Sequence, residues 1–280
     1  NETGPTAGNI GAGIFVFTSP GVKITDNRFQ NQNTQNQSMV QGTSIFLERS
    51  NNFLIEHNRF SGDWGKSVVR LNSDLGQTNG LVLRNIWRGN SVERNLDIEG
   101  DISTKVENNF FGFRAPAILS VTRGGTSTNV FLGGACWLGR VDVDLLFNTF
   151  AAADYGVRIN ECSDVNIYNN IFSGLQEKGI EVDIYDGTIT RSICNNLFFE
   201  NANPGDDIGT AAIFEDPKLA NVAVGDFHLT HGSAAIDRAA AVNFDIDIDG
   251  DHRPVGTGST PFDLGADEYY PKLYMPLIMH

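Results

Sequence analysis

Apolar and polar residues alternate in short runs over most of the first 200 residues, as in Gly156-Val-Arg-Ile-Asn160, Asp164-Val-Asn-Ile-Tyr168 and Gly179-Ile-Glu-Val-Asp183. A period of two with β-branched residues predicts strands, and Gly, Asn, Asp and Ser punctuate the corners between them. No stretch in this region carries a sustained helical stripe. One corner recurs. Asn-x-Phe or Asn-x-Trp begins at Asn27, Asn58, Asn85, Asn109, Asn148, Asn170 and Asn196, with Phe29, Phe60, Trp87, Phe111, Phe150, Phe172 and Phe198 as the aromatic partners. Three residues before each Asn stands Ile24, Ile55, Val82, Val106, Leu145, Ile167 or Ile193. Intervals of 31, 27, 24, 39, 22 and 26 residues predict a coil of repeated turns, each of two or three short strands.

The corner Asn is expected to take the left-handed conformation of a tight bend and to bond its counterparts one turn away. Stacked strands lie ~4.8 Å apart, so identical residues form columns. The aromatics, each burying roughly 150–250 Å², are expected in the core rather than on a sugar platform. One turn is irregular. Between Asn109 and Asn148 lie Thr122–Thr128 and Gly133–Trp137, both Gly-rich, and either Ala117–Val121 or Ala135–Leu138 supplies the first strand. The first choice matches the spacing of neighbouring turns and leaves a loop of about 15 extra residues.

The repeats Val22–Phe29, Leu54–Phe60 and Val165–Phe172 resemble the coils of right-handed parallel β-helix proteins, the pectate-lyase-like superfamily. The resemblance implies an all-β, single-stranded right-handed parallel β-helix of about seven or eight coils over 1–215. A capping segment over 216–270 and a short apolar tail over 271–280 follow. That terminal segment carries Phe227–Asp237, Asp245–Pro254 and Asp263–Tyr269. It resembles the end of bacterial secreted β-helix proteins of the choice-of-anchor type, with His231 and Ala234 where prolines are usual. This second resemblance implies export, to an extracellular or cell-surface location. The fold supports lyases, hydrolases, epimerases, tailspikes and adhesins alike, so it does not by itself imply an activity.

A net charge of −14, from 34 acidic and 20 basic residues, repels phosphate backbones and anionic lipid. No nucleic-acid partner is expected, and no apolar run is long enough for a membrane span. The chain lacks an initiator Met and enters its repeat almost at once, as would a mature or trimmed product with upstream turns missing. Cys136, Cys162 and Cys194 fit neither a metal spacing nor a disulfide framework, so core or turn thiols are expected.

Alternation directs Phe15, Phe17, Phe46, Glu48, Arg70, Asn72, Asp97, Glu99, Arg158, Asn160, Glu181 and Asp183 outward from the first strands. Arg70, Asp97, Glu99, Arg158, Glu181 and Asp183 are the catalytic candidates. Carboxylates serve calcium or general acid/base chemistry, and arginines serve uronate carboxylates. The opposing interpretation pairs these charges structurally across adjacent strands. No Asp-Asp pair stands in the setting typical of polygalacturonases, and there is neither a clear Arg-Pro-Lys-type lyase motif nor a Lys–Arg pair at the expected stacking. The scattered histidines, His228 among them, are expected at the surface or at caps. Asp245, Asp247 and Asp249 with Gly250 match the front half of a calcium loop, without its closing acid, and are the metal candidates for a structural Ca2+. No organic cofactor is expected. The sequence thus favours an extracellular carbohydrate-contacting or adhesive protein without catalysis. The alternative is a lyase or hydrolase of acidic polysaccharide along the first face.

Overall fold

The computed structural model describes residues 12–31, 42–64, 67–91, 93–113, 127–133, 136, 139–183, 188–240, 245–254 and 262–271. The chain is a parallel β-solenoid with almost no helix. A 12-stranded sheet carries the first and second strands of each turn, and a 7-stranded sheet carries the strands that follow the Asn corners. Two long strands, Ser67–Leu83 and Arg94–Glu107, run through both the first and the second face and make them one bent sheet. The solenoid has about 5 turns, slightly fewer than expected.

Side chains pile into columns because every pairing between turns is parallel and nearly in register. Ile55, Val82, Val106, Leu145 and Ile167 are fully buried and line the interior. The aromatics stack from Phe29 through Phe60, Trp87, Phe111, Phe150 and Phe172 to Phe198, with successive centroids 4.4–5.2 Å apart. Offset stacking at that spacing adds to the burial of each ring.

The asparagines form one file. Each side-chain Nδ2 from Asn27 to Asn170 donates to the Oδ1 of the next Asn at 3.0–3.2 Å. The same Oδ1 accepts the backbone N–H of the earlier Asn. The left-handed residue is the one before it, contrary to expectation. Asp26, His57, Arg84, Asn108, Phe147, Asn169 and Asn195 have φ of 51–60°. The bend is made there, which frees the following Asn to point its amide inward along the stack.

The first strand of the irregular turn is Thr128–Leu132, between the two stretches considered. Its Val130 and Leu132 continue the interior columns, and Asn129 is buried beside Asn95, 3.0 Å away. Ala117–Val121 lies outside the described residues. Cys136 is disulfide-bonded to Cys162, which corrects the expectation of unpaired thiols. Both sit in the bend between first and second strands of successive turns, with Cα atoms 5.3 Å apart. Cys194 ends a second strand in a different column, opposite Tyr168, and stays free.

The segment after residue 215 lies along the outer flank of the 7-stranded sheet. Phe227, Ile248 and Ala266 pack on Phe110 and Ala151, and Leu229, Ala235, Ala239 and Leu264 pack on Phe147, Ile171 and Leu197. Gly112 is required here, since a Cβ would meet the Phe227 ring at 2.4 Å. Left-handed corner residues tie this strap down. Asn108 donates to the Ile246 carbonyl at 2.8 Å, Asn195 to that of Arg238 at 2.9 Å, and Asn169 exchanges two bonds with Ala240. Within the strap, buried Arg253 donates to the carbonyls of Asp263 and Gly265 and faces Glu268. Asp263 in turn accepts the N–H groups of Asp237 and Tyr269. The motif residues of the terminal segment are its internal struts. The apolar tail over 272–280 lies outside the described residues.

Candidate functional site

The first face carries one outward lane: Phe15, Phe46, Arg70, Asp97, Phe131, Arg158 and Glu181 stand in register. Arg70 donates to Glu99 at 2.8 Å. Arg94 donates to Asp97 at 2.8 Å and to Glu99 at 3.1 Å, while its guanidinium lies 3.4 Å over the Phe131 ring. The Ser67 hydroxyl donates to the second Asp97 oxygen at 2.8 Å. Asp97 is fully buried, and that burial, with Glu99 beside it, pushes its carboxyl up against the pull of Arg94.

Two strand spacings away, roughly 10 Å, Arg158 pairs with Glu181. Lys178 sits 3.6 Å from Glu181 and 3.0 Å from Asp206. Asp183 stands opposite Asn160. The candidates thus fall into two clusters separated by Phe131, and in each the arginines are paired with neighbouring carboxylates, Asp183 standing outside these pairs. This is the arrangement that opposite charges on adjacent strands adopt for structural reasons.

The three metal candidates do not converge on one point. Asp247 is buried and accepts the N–H groups of Asp249, Asp251 and Glu268. Asp245 is exposed, and its carbonyl accepts from Arg253 N–H. Asp249 turns toward His228, 3.0 Å from Nε2. His228 is raised to about 9, chiefly by this bond to Asp249, and Asp267 next to it is raised to about 7 by burial. Among the described residues, His228, Asp249 and Asp267 are the group whose donor atoms gather, within 4.8 Å of one another.

A cavity of about 470 Å³ opens on the second face. Its central lane is Lys23, Leu54, Leu81, Lys105 and Asp144, flanked by Asn52, Asn79, Ser103 and Asp142. Leu54 and Leu81 form an apolar floor between two lysines that stand three strand spacings apart, roughly 14 Å. Beneath the floor the Phe53 ring fills the space at Gly80, where any Cβ would meet it at 2.4 Å. Hydroxyl, amide, ammonium and carboxylate groups rim the floor. Lys105 is also 4.0 Å from Glu107, whose burial pushes its carboxyl up to about 7.

Sequence reasoning missed Arg94, which opens its strand ahead of the positions sampled, and Asp206, which lies beyond the last of the repeated strands. It missed the cavity because it followed only the first strands; the same alternation applied to the second strands points Lys23, Leu54, Leu81, Lys105 and Asp144 outward. It expected His228 at the surface or at a cap, and nothing local announces its meeting with Asp249 and Asp267. No helix among the described residues is long and apolar enough to cross a membrane. No family model matches the chain, and no curated protein matches it.

Proposed function

We propose that this protein is a non-catalytic, extracellular or cell-surface β-helix that contacts carbohydrate through the cavity of its second face. It would belong to the pectate-lyase-like superfamily, in the choice-of-anchor type. The observation that carries the reading is the cavity itself. An apolar floor at Leu54 and Leu81, rimmed by Asn52, Asn79, Ser103, Lys105, Asp142 and Asp144, suits a ligand with an apolar face and hydroxyls around its edge. That is the chemistry of a neutral pyranose. Lysine and aspartate are balanced around the cavity, so no strongly anionic chain is called for. The Cys136–Cys162 bond supports an exported location, because such bonds persist in oxidising compartments.

A lyase or hydrolase on the first face is less well supported. Arg70, Asp97, Glu99, Arg158 and Glu181 are engaged in pairs there, and catalysis would have to break those pairs first. Calorimetry of the full chain against neutral and uronate oligosaccharides tests the reading. Binding of a neutral glycan is expected, weakened tenfold or more, about 1.4 kcal/mol, by Asn79→Ala combined with Leu81→Asp. Absence of binding across the panel, or equal binding by the double variant, removes the cavity from consideration. Release of unsaturated or reducing ends would favour the enzymatic alternative.

A further inference from the structure

The geometry points to a divalent transition-metal site at His228, Asp249 and Asp267, where a Zn2+- or Mn2+-class ion would staple the strap. Three separate stretches meet there: the strand Asp226–Leu229, the Asp-rich turn and the terminal run ending near Tyr269. Each offers one donor atom, and all three atoms lie within 4.8 Å of one another. Ligands bound at about 2.0–2.1 Å in tetrahedral geometry are roughly 3.3 Å apart. His228 Nε2 and the Asp249 oxygen, at 3.0 Å, need move only a few tenths of an ångström to admit an ion.

A second observation, outside the three donors, comes from the far side of the imidazole. Asp226 holds His228 Nδ1, so the ring is oriented with Nε2 facing Asp249 and Asp267. A carboxylate behind a histidine is the arrangement that fixes metal-binding imidazoles in their tautomer and increases their basicity. The backbone positions are held as well. Asp267 accepts the Leu229 N–H at 2.7 Å, and the His228 ring packs edge-on against Phe110.

The donor set decides the class of ion. One imidazole nitrogen with two carboxylates suits zinc or manganese, whereas calcium takes oxygen ligands alone. His228 and Asp249 are partly exposed, which leaves an entry path and room for water to complete the coordination. Asp267 is buried, and its carboxylate is fixed in place by the Leu229 N–H on one oxygen.

Calorimetry and thermal melts of the chelator-treated full chain, with ZnCl2, MnCl2 and CaCl2 added separately, test the site. One Zn2+ or Mn2+ per chain is expected, raising the melting temperature by roughly 5–10 °C at metal about 100-fold above Kd. His228→Gln and the more exposed Asp249→Asn should each weaken binding at least tenfold, and Asp226→Asn by about 10–100-fold. Near-UV circular dichroism reports whether each metal-free variant is folded, and Asp249→Asn alone is sufficient if His228→Gln is not. No binding of zinc or manganese overturns the site. So does binding unchanged in the folded variants, or binding of calcium alone.

Discussion

Two adjacent residues at each corner divide the labour. In Asn108-Asn109 and Asn169-Asn170 the first Asn bends the chain in the left-handed region and faces the strap, and the second enters the file of amides inside. The recurring Asn was legible in the sequence, but its role was assigned one residue too late, because either asparagine of a pair tolerates a positive φ. The single-Asn corners, with His57, Arg84 and Phe147 in the bending position, resolve the ambiguity: the residue before the Asn bends whatever its side chain, even one with no special tolerance for a positive φ. Asn109 sits mid-file and is buried, whereas Asn27 is exposed at one end. Asn109→Ala deprives the buried Asn85 backbone N–H of its acceptor, removes one of the three acceptors around the Asn85 amide, and should cost about 2–3 kcal/mol in chemical denaturation. Asn27→Ala should cost under about 1 kcal/mol. Equal costs would mean that the file is ornament rather than support.

At the scale of the strand and the turn, alternation predicted the interior columns and the aromatic stack because burial enforces a period of two on every winding. It failed at the irregular turn, where Gly-rich flanks drew attention from Thr128–Leu132, a strand buried at every position and so lacking the alternation that marked the others. It also failed for the cysteines. Pairing depends on a shared position in successive bends, and intervals that vary from turn to turn conceal that position. The disulfide closes a stretch of 26 residues that includes the whole second and third strands of that turn. Chain entropy assigns such a closure about 3.5 kcal/mol. Cys136→Ser should lower the free energy of unfolding by that order and make the native protein, titrated with a thiol reagent, report two thiols where the wild type reports one. Three thiols in the native wild type would refute the pairing.

At the scale of the molecule, the strap and the stack bury acids that ordinary pairing does not fully relieve. Glu107 and Asp263 are raised to about 7 and about 6 by burial, against ordinary values of 4.5 and 3.8. Between those values the folded chain holds more protons than the unfolded one, so their contribution to stability is full at about pH 4 and is lost as pH rises through 6 to 7. Denaturant midpoints should therefore fall from about pH 5 to pH 8. Glu107→Gln should flatten the slope and add about 3 kcal/mol at pH 8, since the shift from 4.5 to about 7 spans between two and three tenfold steps of about 1.4 kcal/mol each. A variant with the wild-type slope would place the cause elsewhere.

The file of asparagine amides also has a direction. Every Nδ2 from Asn27 to Asn170 donates toward the higher-numbered turn, so the oxygen-bearing pole lies at Asn27 and the hydrogen-bearing pole at Asn196. At the higher-numbered pole the last amide is used within the chain: Asn196 donates to the Ile167 carbonyl at 2.8 Å, its own carbonyl accepts the Ile213 N–H, and the residue is fully buried. Among the described residues, no exposed amide is left at that pole for another copy to extend the file, so the column ends within the chain that built it.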